Sequence, residues 1–404
     1  MVRTLAEPLR VGDRYVFIDL YRSAVILLML EGHVFRTFLA SQLQQTPLFQ
    51  IHEIFHGLSA PAFLFGAGVT FVISTRKRWE DYHRWGFPLA RRIGRFLLII
   101  GLGLVLHLPY FSFRKIIAEG TSADFLQLFQ CDVLTCIGVG LLLLQAIVFF
   151  FKTEKRFYGF VIPMVIFVSL LTPVVWDIDF LRFMPAPLAQ LLNSNHGSAF
   201  PLFPYAGFLF AGVIVARMFL VATEQQRARA FVRRFLFLGA SCIVAGVVFD
   251  AIPAKIYPTY NFWYTSPNYF LTRLGVLMLA MGGFWILASF LTRPKKIFTI
   301  LGRESLFVYV LHLPVIYGSV INPDINLQKV LGTNFGVMET GLIFVLFTLF
   351  ILACAMAWHM LKEQSDNTAV RQVHWPSGLD FHFHRLVQIA MSGMFLHYLF
   401  TRQF

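Results

Sequence analysis

The chain has 404 residues, 57% of them hydrophobic and 14% charged, with 46 phenylalanines. That is too apolar for one soluble core and marks a polytopic membrane protein. The net charge of +13 does not point to nucleic acid, because the basic residues sit between apolar runs, as membrane topology requires.

Ten segments hold the roughly 20 apolar residues that a membrane-spanning helix needs. They lie near 16–38, 54–75, 92–111, 127–151, 157–176, 200–221, 234–252, 268–291, 299–320 and 335–361. The first is too long for a removable signal peptide, lacks its cleavage site, and is expected to stay as an anchor. An amino terminus inside the cell puts 27 of the 34 Lys and Arg residues on the cytoplasmic side. Seven, at 36, 114, 115, 182, 255, 273 and 329, fall outside. The expected fold is an all-α membrane bundle of about ten spans with both termini cytoplasmic.

Residues 1–361 read as one membrane domain and 362–404 as a cytoplasmic or interfacial tail. Within the tail, 385–401 suits an interfacial helix or an eleventh span. Cys131, Cys136, Cys242 and Cys354 lie in or beside apolar runs without metal-ligand spacing, and read as small packing residues. No metal is expected.

Polar residues inside the spans are expensive and usually face a bundle interior or a wet cavity. Asp19 and Arg22, three apart, share one face near the cytoplasmic end of the first span. Glu31 and His33 follow in its outer half, His33 roughly 21 Å beyond Asp19 at 1.5 Å per residue. The next outer loop adds His52, Glu53 and His56. The fourth span begins outside with Asp132. Asn268 and Arg273 open the eighth, and His312 sits near the middle of the ninth. Any of these histidines also has a plain reading as an interhelical hydrogen-bonding residue. His33 carries the strongest functional reading, with Glu31 beside it and a histidine-rich loop directly after.

"FIDLYRSAVILLMLEGH" followed by "HGLSAPAFLFGAGV" resembles the opening of bacterial membrane proteins related to heparan-α-glucosaminide N-acetyltransferase, within the transmembrane acyltransferase superfamily. The resemblance continues in "ARRIGRFLLIIGLGLVL", "DVLTCIGVGLLLL", "FPLFPYAGFLFAGVIVAR" and "LGRESLFVYVLHLPVIY", and so covers about residues 16–320. Two positions depart from the pattern. Ser23 stands where Gly usually follows the arginine, and Gly32 where an acidic residue often precedes the histidine.

The resemblance implies a bacterial inner-membrane acyltransferase, with acyl-CoA as cytosolic co-substrate and a sugar or lipid-linked hydroxyl or amine as outer-face acceptor. His33 would then be the general base, with His52 and His56 as alternatives, while Asp19 and Arg22 shape the cytoplasmic entrance. Glu31, Asp132, Asn268, Arg273 and His312 would bind substrate, and Arg91, Arg92 and Arg95 would hold the CoA phosphates. Two other classes stay open: a transporter or flippase, and a subunit that keeps the fold without catalysis. The expected partners are membrane lipids and acyl-CoA, with a homodimer or larger membrane complex also compatible, and no nucleic acid.

Overall fold

The structure, a computed structural model, describes residues 10–11, 14–252, 256–257, 260–291, 296–319, 322 and 324–371. A two-residue hairpin, Arg10–Val11 with Arg14–Tyr15, leads into α1 (Val16–Phe38). There follow α2 (Pro47–His56), α3 (Ser59–Arg76), α4 (Phe87–Leu106) and α5 (Val133–Phe150). Next come α6 (Glu154–Trp176), α7 (Leu202–Glu224), α8 (Ala228–Asp250) and α9 (Pro267–Phe290). The described chain closes with α10 (Lys296–Arg303), α11 (Ser305–Tyr317) and α12 (Val337–Arg371). The tail expected to be interfacial lies, from 372 on, outside the described residues.

Each of the ten expected spans corresponds to a helix or helix pair. Among the described residues, seven helical stretches are long and apolar enough to cross a membrane, and eight if α10 and α11 count as one broken span. α1 and α4 have the length, at 23 and 20 residues. They also carry charges, namely Asp19, Arg22, Glu31 and Arg36 on α1 and Arg91, Arg92 and Arg95 on α4. α1 tolerates its charges because it is central, packing against α3, α9, α10, α11 and α12. Ile26, Leu30, Val34 and Phe38 on it are completely buried.

Lipid tails are as apolar as leucine, so close packing rather than hydrophobic burial must hold such helices together. The "SAPAFLFGAG" run of α3 serves that purpose. A Cβ on Gly68 would lie 2.0 Å from the Leu209 carbonyl oxygen of α7, and one on Gly212 of α7 would lie 2.1 Å from the Phe65 carbonyl oxygen of α3. The two backbones touch through reciprocal glycines.

Two expected elements differ from what the structure shows. The stretch holding His52, Glu53 and His56 is helix α2 rather than loop. Pro47 opens it, and the Thr46 hydroxyl accepts from the Phe49 N–H at 3.4 Å. Its helical register puts His52 and His56, four apart, on one face. The ninth span is not continuous, since α10 and α11 meet at 77° across Glu304. Glu304 there accepts from Lys362 Nζ at 2.8 Å and pairs with His359 Nδ1 at 2.9 Å, both on α12. These two partners on α12 hold the buried Glu304 carboxylate at the bend. On the other side of the bend, the Gly302 N–H donates to the Ser23 hydroxyl at 2.8 Å. That bond gives Ser23 a use that glycine could not serve.

Candidate active site

α1, α2 and α11 bring three imidazoles together. The His33 ring centroid lies 5.0 Å from that of His312 on α11 and 6.0 Å from that of His56 on α2. His56 is buried flat against α1, where a Cβ on Gly32 would come within 1.6 Å of its Nδ1. The Gly32 departure is therefore the space that His56 occupies. Glu31 serves His52 instead of His33: His52 Nε2 lies 2.7 Å from Glu31 Oε1, with Nδ1 3.5 Å from Glu53 Oε1. Arg36 Nε donates to both Glu53 oxygens at 2.9 Å, so the charged ring of Glu31, His52, Glu53 and Arg36 ties α2 to α1. His52 is a clamp in this geometry, and the His33 and His56 rings meet edge to face at 81°.

A chain of hydroxyls fixes the His33 tautomer. Thr37 Oγ1 lies 2.7 Å from the His33 carbonyl oxygen, which can only accept, so the single Thr37 proton goes there. The Tyr317 hydroxyl, 2.9 Å from Thr37 Oγ1, must then donate to it. The Tyr317 oxygen is left to accept from His33 Nδ1 at 3.2 Å. Nδ1 thus carries the proton and Nε2 the free lone pair, the form a general base needs. Tyr317 went unnoticed in the sequence because a tyrosine at the end of an apolar span reads as an interface anchor.

His312 is fully buried, and its Nδ1 faces the Val308 carbonyl at 3.1 Å. Its Nε2 is buried without a hydrogen-bond partner among the described residues. Arg273 is nearby on the α2 side, its guanidinium Cζ 4.1 Å from the Tyr269 ring centroid and one terminal nitrogen 3.5 Å from where a Gly57 Cβ would stand.

Two expected ligands take other places. Asp132 caps α5, accepting from the Thr135 N–H at 2.7 Å, and is buried. Asn268 belongs to a rim cluster, its amide donating to Tyr260 Oη at 3.2 Å and Asp250 Oδ1 at 3.4 Å.

The basic end of α1 also departs from expectation. Asp19 and Arg22 share a face but pair with other residues. Asp19 lies 3.7 Å from Arg303 Nε, and Arg22 bonds the Ser305 hydroxyl at the α11 start. The bend at Glu304 brings α10 and α11 close enough to intercept both side chains. Arg92 is not on the expected phosphate rim either. It is buried over the Phe71 and Tyr82 rings, at 4.4 and 4.1 Å, and donates to Thr75 Oγ1 at 2.7 Å. Its neighbours Arg91 and Arg95 are exposed on α4.

Two adjoining cavities connect these places. One of about 360 Å³ is lined by Arg22, Arg303, Ser305 and Lys362 at the basic end. The other, about 960 Å³, is lined by His33, Tyr317 and His107. Leu102, Phe307 and Val310 line both, so one wall between α4 and α11 runs from the arginines to the imidazoles. Arg303, Ser305 and Lys362 at the first cavity and His107 at the second are lining residues that the sequence analysis did not assign to the site.

Residues 14–247 match the family model described as heparan-alpha-glucosaminide N-acetyltransferase, catalytic. That is more than half of the chain, and it includes His33, His52 and His56 but not His312 or Tyr317. No curated protein matches the chain.

Proposed function

Since the chain belongs to the heparan-α-glucosaminide N-acetyltransferase catalytic family, we propose that it is a membrane acyltransferase moving an acyl group from acyl-CoA to a hydroxyl or amine acceptor. The observation that carries this reading is the shared wall of the two cavities, from Arg22 and Arg303 to His33. The basic end, rich in Lys and Arg, would face the cytosol, where CoA is found. Arg22, Arg303 and Lys362 would grip the donor phosphates, which guanidinium groups match well. The thioester would then extend along Leu102, Phe307 and Val310 to the imidazoles.

In the transfer step, the acceptor oxygen or nitrogen attacks the thioester carbonyl while its proton passes to His33 Nε2. The new acyl bond forms as the carbon–sulfur bond breaks. The CoA thiolate leaves and regains the proton from the imidazolium. Tyr317 would hold the ring in the competent tautomer, and the buried His312, its ring centroid 5.0 Å from that of His33, would pack against that ring and help to fix its position.

The test is thiol release from acyl-CoA by the purified full chain in nanodiscs, with and without a glucosamine or glycolipid acceptor. Acceptor-dependent release supports the reading. Its absence with every donor and acceptor favours a subunit or transporter that keeps this fold. Tyr317→Phe removes the tautomer lock and is expected to lower kcat about tenfold with KM nearly unchanged, within the range for a support to general-base catalysis. A Tyr317→Phe enzyme with normal kcat would leave His33 oriented by something else.

A further inference from the structure

The cavity beside His33 changes character along its length. Leu102, Phe307 and Val310, the wall given to the donor, adjoin the basic end. His107 closes α4 about 7.5 Å of helical rise beyond Leu102. Tyr110, Gln127 and Asn322 also line the cavity, from segments beyond the ends of α4 and α11. Neither the donor nor the proton transfer to His33 uses these four polar residues.

Their hydrogen bonds show what they still offer. His107 Nδ1 lies 3.1 Å from the Gly103 carbonyl oxygen, which can only accept, so the neutral ring donates there and presents Nε2 as an acceptor. The Tyr110 hydroxyl donates to Asp124 Oδ2 at 3.0 Å, which leaves its oxygen to accept. The Asn322 amide donates to the Pro314 and Ile325 carbonyls at 2.9 and 3.0 Å, and its Oδ1, facing the Ser319 hydroxyl, has a second lone pair. Gln127 adds a side-chain amide. Among the described residues, none that lines the cavity is a carboxylate. Asp124, the partner of Tyr110, stands outside the lining and also accepts from the Thr121 N–H and hydroxyl. Lys115 Nζ lies 4.9 Å from the Tyr110 ring centroid, so a cation stands at this rim as well.

Resting on the acyltransferase reading, we infer that this end of the cavity is the acceptor subsite. Its ligand is an uncharged, hydroxyl-rich acceptor of the neutral-sugar class, acylated on oxygen. Hydroxyls supply the donors that His107, Tyr110 and Asn322 can receive. An ammonium would enter with no carboxylate on the lining to pair with, at a cost in desolvation. It also has no lone pair for attack until it loses a proton. A hydroxyl binds neutral and must shed its proton as it attacks, which is the service His33 Nε2 provides. The acceptor O–H bond breaks to His33, its oxygen joins the thioester carbonyl carbon, and the CoA sulfur leaves with the carbon–sulfur pair and takes the proton. The product is an ester.

The test compares methyl glucoside with methyl glucosaminide, the same ring with an amine in place of one hydroxyl. Both are offered to the full chain in nanodiscs at neutral pH, with acetyl-CoA as donor. The glucoside is expected to show kcat/KM at least about tenfold higher, the penalty for an unpaired ammonium. The products of both should be cleaved by hydroxylamine, as esters are and amides are not. His107→Ala and Gln127→Ala should each raise KM for the glucoside about fivefold to tenfold, the loss of one hydrogen bond. The kcat and the KM for acetyl-CoA should stay nearly unchanged. Gln127 is exposed, so its variant probes the subsite without burdening the fold.

A hydroxylamine-resistant amide, formed from the glucosaminide as fast as the glucoside is acylated, overturns the inference and leaves the transferase reading in place. So does thiol release that only amine acceptors elicit, or a glucoside KM that neither variant changes. If no acceptor of any kind releases the thiol, the transferase reading itself falls, and the subsite with it.

Discussion

His33→Ala and His33→Gln should each leave a folded protein that binds acyl-CoA and transfers the acyl group about 10² to 10⁴ times more slowly, the usual contribution of a general base. The expectation follows from the tautomer argument. His33 Nδ1 is committed to the Tyr317 hydroxyl, which is in turn committed to Thr37. The free Nε2 is the nitrogen left for the acceptor's proton. Glutamine can keep the hydrogen bond to Tyr317 but has no titratable nitrogen, so it should fail as alanine does. His56→Gln makes the comparison sharper. His56 is packed against Gly32 with its Nδ1 3.4 Å from the Leu28 carbonyl, and it does not line the cavity. Steady-state kinetics with thiol release as readout, alongside acyl-CoA affinity, separate the cases. If His33→Gln turns over normally while His56→Gln is inactive, the base is His56 and the site must be redrawn around α2.

The largest expected effect on stability lies at the glycine crossing of α3 and α7. Gly68→Val places a branched side chain where even a Cβ would stand 2.0 Å from the Leu209 carbonyl oxygen. The obstacle is backbone, which cannot swing aside as a side chain can. The helices must separate, and the loss should reach about 3 kcal/mol or more, the upper range for overpacking. Gly101→Ala on α4 is the control. Nothing lies within 4 Å of a Cβ there, so its effect should stay within about 0.5 kcal/mol, as for other unencumbered surface changes. Thermal unfolding in detergent, followed by the loss of monodisperse protein, compares the two. A Gly68→Val protein as stable as Gly101→Ala would mean that α3 and α7 do not pack as described.

The architecture was legible because length and hydropathy suffice to find spanning helices. His33 and His312 could be singled out for the same reason, as imidazoles inside apolar runs. Side-chain partnership between distant helices was not legible. Asp19 and Arg22 are neighbours on one helix face, yet each finds its partner on α10 or α11, more than 280 positions away, because the chain bends at Glu304. Nothing local marks that bend, since Glu304 is stabilised by His359 and Lys362 from α12. Arg92 failed as a rim residue for a related reason. Its position at the end of a span fits the charge rule for membrane loops, but its helix register turns it toward Phe71 and Tyr82. His52 and His56 were visible as a pair and mistaken for loop residues, because the ten residues from Pro47 to His56 are too short to be read as a span of their own.

Transfer across a sealed bilayer addresses the central claim directly. The full chain is reconstituted into sealed vesicles of known orientation, with acyl-CoA on the side of the loop at 77–86 and an impermeant glucosamine-bearing acceptor on the other. The account predicts acylated acceptor in the second compartment, free CoA thiol in the first, and loss of both signals with His33→Gln. Product that forms only when donor and acceptor share a compartment, or at the same rate with His33→Gln, contradicts it.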